Sequence, residues 1–266
     1  MKEPLVSVII TTKNEASNIE RCVTSVVKQS YTSVEILMID NNSTDSTVAI
    51  AKKFTPHVFT KGPERSAQRN YGAQKAKGKY VLFLDADMEL TEKVIEECVE
   101  MFTVHRSSFT AKVGGIVIPE VSIGNTYWEK VKAFERSLYN EKGDEITDAA
   151  RFFPKSVFEE VGGYDETITG PEDWDLPEMI KSKGYAISRI SSPIYHHESI
   201  SSLMSLVGKK YYYGLKAHTY MEKHKISSVN AKTLYFLRPV FYQQWRKYIQ
   251  HPLLACGMIV MLTMEL

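Results

Sequence analysis

Through its first hundred residues the chain repeats one pattern: a short apolar run, a polar turn, then a stretch with helical spacing. The apolar runs fall at residues 5–11, 34–39, 57–60 and 80–84. They lack polar alternation, as strands buried on both faces do. Between them, Ile19, Cys22, Val23, Val26 and Val27 form one apolar helix face. Ser17, three residues before Glu20, reads as a capping box. Residues 47–54, 65–76 and 91–102 predict further helices, with Gly78 ending the second of these three. This alternation predicts a parallel sheet with right-handed crossovers and helices on its faces. Residues 114–119 and 186–190 predict two more strands, part of 124–150 predicts helix, and Gly162-Gly163 predicts a turn or helix end.

Parallel strands deliver their carboxyl ends to one edge, where open α/β sheets bind ligands. Three of these ends are polar: Asn14-Glu15, Asp40-Asn41 and Asp85-Ala86-Asp87. Two acids at i and i+2, closing a buried strand, can converge on one cation. Oxygen ligands suit magnesium or manganese, which keep waters and take substrate phosphates as further ligands. The bland alternative is an Asp-rich turn. The first glycine of the chain is Gly62. The glycine-rich phosphate loop of dinucleotide-binding folds is therefore missing, as is a P-loop pattern. A cation and basic side chains must neutralise any bound phosphates. Cys22, Cys98 and Cys256 show neither zinc spacing nor a disulfide framework, which predicts a reducing compartment. The apolar run at residues 6–10 is too short for a signal peptide.

The segments Ser7-Val-Ile-Ile-Thr-Thr-Lys-Asn-Glu15, Ile39-Asp-Asn-Asn-Ser-Thr-Asp45, Arg69-Asn-Tyr-Gly72 and Phe83-Leu-Asp-Ala-Asp87 follow one another in order. Val161-Gly-Gly-Tyr-Asp165 and Gly170-Pro-Glu-Asp-Trp-Asp175 continue the series. Together they resemble the ordered signature of glycosyltransferase family 2, over about residues 5–200. The resemblance implies an α/β GT-A fold, with a mostly parallel central sheet flanked by helices. It also implies inverting transfer, supported by Mn2+ or Mg2+, of a hexose such as mannose or glucose from a UDP- or GDP-sugar. Thr12, Asn14 and Glu15 would line the nucleoside pocket, and Asp40 with Asn41 would meet the base. Many members carry a second Asp where this chain has Asn41. Arg69 would approach the diphosphate. Asp85 would face the ribose or the metal waters, and Asp87, across Ala86, would bind the metal. His196, with His197 beside it, would add a histidine ligand. Asp173 would be the base that takes the acceptor's proton, with Glu172 a positioning neighbour. Arg151, Trp174, Lys209 and Lys210 are candidates for acceptor or phosphate contacts. Tyr127, Trp128, Phe134 and Tyr139 would form an acceptor wall or pack in the core. A sugar-phosphate nucleotidyltransferase and a non-catalytic nucleotide-sugar-binding module are the alternatives.

The net charge of +1 conceals an asymmetry. Residues 1–200 hold 24 Lys and Arg against 30 Asp and Glu, whereas residues 201–251 hold nine basic residues against Glu222 alone. From residue 234, Tyr235, Phe236, Phe241, Tyr242, Trp245 and Tyr248 interleave with Arg238, Arg246 and Lys247, like an interfacial segment. Residues 253–264 are apolar apart from Thr263. As a helix they would cross about half of a bilayer's hydrocarbon core. The expected division is a catalytic domain over 1–200, basic and aromatic interfacial helices over 201–252, and an apolar tail over 253–266. That tail would lie in one leaflet, begin a membrane span, or fold back on the domain. The expected partners are a nucleoside-diphosphate sugar, anionic lipid at the cytoplasmic face of the cell membrane, and a lipid-linked acceptor such as polyprenyl or dolichyl phosphate. No nucleic-acid partner is expected, because no nucleic-acid-binding motif accompanies the basic block.

Overall fold

The computed structural model describes residues 3–103, 112–141, 143–144, 148–226 and 238–265. In chain order the first elements are β1 (Val6–Thr12), α1 (Ile19–Val27), β2 (Val34–Asp40), α2 (Thr47–Ala51), β3 (Val58–Thr60), α3 (Arg65–Lys75) and β4 (Tyr80–Asp85). Next come β5 (Met88–Leu90), α4 (Val94–Thr103), β6 (Val113–Val117), β7 (Glu120–Ile123), α5 (Tyr127–Asn140), β8 (Ala150–Pro154), α6 (Lys155–Glu160) and α7 (Glu172–Ser182). The chain then forms β9 (Ala186–Arg189), β10 (Ile194–His197), α8 (Leu203–Lys223), α9 (Pro239–Gln243), α10 (Trp245–Gln250) and α11 (Pro252–Glu265). Two compact units result. The first is Met1–Pro119, Ala149–Glu166 and Glu172–Ile194; the second is Glu120–Asp148, Thr167–Pro171 and Tyr195–Leu266.

The first unit carries a seven-stranded sheet in the order β3-β2-β1-β4-β8-β6-β9. β3, β2, β1 and β4 are mutually parallel, and β8 runs antiparallel to β4 and β6. Chain order reverses between β1 and β4, so the ligand edge expected for such a sheet lies where Thr11 pairs with Asp85. Val6, Val8 and Ile10 face one core cluster with α1 and α4, and Ile9 faces the other with α3. That alternation is the two-residue period of a strand between two helical layers.

Gly72 belongs to this contact. A Cβ there would stand 2.4 Å from Ile9 Cγ2, so α3 approaches β1 as only glycine permits. Gly78 differs from expectation. α3 ends at Lys75 with Ala76 extended, and a Cβ at Gly78 would meet the Ser7 backbone nitrogen at 2.6 Å. That glycine therefore serves close packing against β1 rather than a helix cap. Ser17 and Glu20 make no capping box either. Asn18 holds the N-cap position, and its side chain donates to Glu15 and accepts from Arg21.

The second unit pairs β7 with β10 and packs α5 against α9 and α11. Thr126 and Glu129 form a capping box at the start of α5. Its core gathers Val131, Phe134 and Leu138 with Val240, Phe241, Ala255, Met258 and Met261, and Trp128 and Tyr139 pack against it. One expectation changes here, and the tail takes one of the three courses open to it. Arg238 and Phe241 are buried, not interfacial, and Asp144 lies 3.9 Å from Arg238 Nη1. The apolar tail folds back as α11, with the Tyr127 hydroxyl donating to Leu253 O. Tyr235 and Phe236 lie outside the described residues. No helix among the described residues is long and apolar enough to cross a membrane.

Candidate active site

The loops after β1 and β2 are laced together. Asp40 accepts hydrogen bonds from both the backbone and the hydroxyl of Ser43. Asn14 sits at φ 55°, a left-handed conformation that asparagine tolerates. It donates its N–H to Ser43 Oγ and accepts from the Thr44 N–H. Asn41 donates to Thr12 O and, through its side chain, to Pro63 O. Gln68, which no motif flagged, reaches up from α3 to donate to Thr12 O and Ile39 O. Thr12 Oγ1 is buried and makes no hydrogen bond among the described residues. These bonds tie the ends of β1 and β2 to one another and to α3.

Beside it lies a knot of arginines and carboxylates. α3 presents Arg65 and Arg69 one turn apart, α7 opens with Glu172 and Asp173, and Asp85 closes β4. Arg69 Nη1 donates to Asp173 Oδ1 at 2.6 Å, and its Nη2 donates to Asp85 Oδ1 at 3.1 Å. Arg65 repeats the pattern, 3.1 Å from Glu172 and 3.6 Å from Asp85. Arg151 stands 3.8 Å from Asp85, and the Thr11 hydroxyl donates to Asp85 at 3.0 Å. The resemblance implies a diphosphate contact for Arg69. The structure buries it completely, at 0% exposure, with both terminal nitrogens engaged by carboxylates.

Burial alone would lower the Arg69 pKa; Asp173 and Asp85 outweigh it and hold the value well above ordinary arginine. Burial raises the Glu172 carboxyl above the usual range, Asp173 adds to this, and Arg65 opposes it. Tyr164 lies under Arg69, its ring centroid 5.0 Å from the guanidinium carbon. Asn70 pins that tyrosine, accepting from its N–H and donating to its carbonyl. The segments Arg69-Gly72 and Val161-Asp165 thus support each other, with Gly162 and Gly163 at φ 86° and 74° turning the chain.

The acidic edge fits a hard cation by its charge. Burial raises the Glu15 pKa, and repulsion from Asp87, Asp85 and Asp45 raises it further against the Asn18 hydrogen bond. Three arginines already face Asp85. Among the described residues no three His, Cys, Asp or Glu side chains gather into a metal cage. A cation here would need oxygens from a phosphate ligand, as magnesium and manganese sites commonly have. His196 and His197 belong to the second unit. There His196 Nδ1 lies 2.6 Å from Arg136 Nη1 and 3.4 Å from Glu120. Lys209 and Lys210 also belong to that unit, with Lys210 3.5 Å from Glu265. Trp174 is half-buried on α7.

The profile of glycosyl transferase family 2 matches residues 7–162. Glycosyltransferase AglE of Haloferax volcanii is 27% identical over 197 residues, covering 70% of this chain and 64% of that protein. A PGL/p-HBAD biosynthesis glycosyltransferase of Mycobacterium bovis is 24% identical over 258 residues, covering 94% of each. The chain thus spans just under two thirds of the first relative and nearly all of the second. The structure of mannosyltransferase PcManGT from Pyrobaculum calidifontis, in complex with GDP-Man and Mn2+, superposes with a TM-score of 0.59 at 16% identity. That match covers 98% of this chain and 75% of the other, and it shows a shared fold.

Proposed function

The chain belongs to glycosyl transferase family 2, and on that premise we propose that it transfers a hexose, with inversion, from a UDP- or GDP-sugar to a lipid-linked acceptor. The observation that carries this reading is the Arg69 bridge between Asp85 and Asp173, which joins a nucleotide edge to a carboxylate suited to be a base. Thr12, Asn14, Glu15, Asp40 and Asn41 would receive the nucleoside. Asp87, aided by Glu15 and Asp85, would hold a Mn2+ or Mg2+ ion, which when bound neutralises the diphosphate leaving group. PcManGT, with GDP-Man and Mn2+ in the same fold, supports that donor class.

Asp173 keeps 20% of its side chain exposed, and Oδ1 takes the Arg69 hydrogen bond. Its second oxygen would accept the proton of an acceptor hydroxyl as that oxygen bonds to the anomeric carbon. The bond from that carbon to the diphosphate breaks, and the nucleoside diphosphate leaves. An acceptor that is already a phosphate anion needs no such proton removal. The free cysteines fit a reducing compartment, which supports the cytoplasmic side of a membrane.

A thermal-shift panel of UDP- and GDP-sugars with Mn2+ tests the donor, because a ligand bound only by the folded state raises stability. Asp87→Ala should abolish metal-dependent donor binding in calorimetry while leaving the fold intact; unchanged affinity would remove Asp87 from the site. Asp173→Asn should keep donor affinity and lower turnover by roughly 10²–10⁴-fold on a hydroxyl acceptor, the usual share of a general base.

A further inference from the structure

Exposed apolar surface is distributed unevenly. Every exposed large hydrophobic residue among the described ones, except Val27, belongs to the second unit. α8 shows what that surface is built from. It runs for 21 residues, yet only Tyr220 is buried. Leu203 and Leu206 pack against the core of their unit on one side. Met204, Tyr211 and Leu215 are 66%, 70% and 58% exposed. At about 100° per residue they fall within about 40° of one another on the helix, and the exposed Tyr212 borders them. Lys209, Lys216 and Lys223 recur at seven-residue steps on one flank of that stripe. The one acid of the helix, Glu222, lies in its last turn.

We propose that this outward face of α8 docks the protein onto an anionic bilayer surface, with Met204, Tyr211 and Leu215 entering the headgroup boundary and Lys209, Lys216 and Lys223 on lipid phosphates. Charge complementarity selects this occupant. The centre of a protein interface is depleted in lysine, whereas an interfacial helix pairs an apolar stripe with a lysine flank whose long stems reach the headgroups. The placement of the aromatics agrees: tyrosine rings sit with one end apolar and the other wet. The inference stands on the surface of α8 alone and is read without any enzyme assay, so it can fail while the proposed transfer holds, and the reverse.

The test is flotation of the full chain with vesicles of phosphatidylcholine, with and without phosphatidylglycerol, at low and high salt. Wild type should float with the anionic vesicles, and salt should loosen it. Tyr211→Glu/Leu215→Glu should abolish flotation. Each of Lys209→Gln, Lys216→Gln and Lys223→Gln should weaken it by about fivefold. All these positions are exposed or half-exposed, and circular dichroism should show an unchanged fold. Three results would overturn the proposal. One is wild type that ignores phosphatidylglycerol. Another is flotation that survives Tyr211→Glu/Leu215→Glu. The third is a concentration-dependent dimer that the same pair of substitutions dissolves, which would make the stripe a face between two copies of this chain.

Discussion

Arg69 shows how one side chain organises chemistry it does not perform. A fully buried guanidinium is tolerated because its planar fork serves two carboxylates at once, on Asp85 and Asp173. Arg69→Met would leave both acids without that partner. It should cost about 3–5 kcal/mol in chemical denaturation, the usual penalty of breaking a buried pair. Arg69→Lys cannot fork and should recover only part of the loss. If Arg69 acts on turnover through Asp173, adding Arg69→Met to Asp173→Asn should lower turnover little further, a non-additivity expected of groups that work as a unit. Glu15 contributes one part of the pH dependence. Burial holds its folded pKa above the ordinary carboxylate value, so ionising it costs stability once the pH rises past that ordinary value, until the folded pKa is passed. Glu15→Gln should match wild type at about pH 4 and be the more stable protein at about pH 7, as denaturant midpoints at the two pH values would read.

At the scale of elements, two helices show opposite degrees of legibility. α3 was readable as a helix over residues 65–76, but the work of its Gly72, a close approach to Ile9, was not. Gly72→Ala should destabilise by about 1–3 kcal/mol, the range for forcing extra volume into a packed core, seen as a lowered melting temperature. α11 was readable as a helix but not as to where it goes. An apolar stretch of that length suits a leaflet or a core equally, and the choice belongs to α5, whose Val131, Phe134 and Leu138 offer it a surface. Met261 is fully buried. Met261→Ala should cost about 2–5 kcal/mol in the protein without lipid. A tail that made no packing contact would leave the melting temperature unchanged.

At the scale of the whole molecule, the second unit has its own core but draws it from two separated segments of chain. Deleting residues 239–265 would uncover the faces of Val131, Phe134 and Leu138. The expected outcome is a chain that aggregates, read by light scattering and by recovery in the soluble fraction. A monodisperse, soluble truncation would show that α9–α11 are dispensable to that core. The exposed stripe of α8 and the buried face of α11 assign different work to two neighbouring helices.

The sequence by itself determined the alternation of strands and helices, the polar ends of β1, β2 and β4, and the acids that open α7. Each of these is a local pattern: periodicity sets the element, and the residue after a strand sits at its edge whatever the rest of the chain does. The tertiary structure decided the partners. Arg65 meets Glu172 and Arg69 meets Asp173 only because the sheet order brings α3 and α7 to the end of β4, and no spacing in the sequence encodes that meeting. It also decided that β8 enters the sheet antiparallel, that Arg238 and Phe241 are buried, and that the apolar tail covers α5. The physical reason is common to all three: burial and ion pairing depend on which surfaces meet, and residues far apart in the chain supply those surfaces.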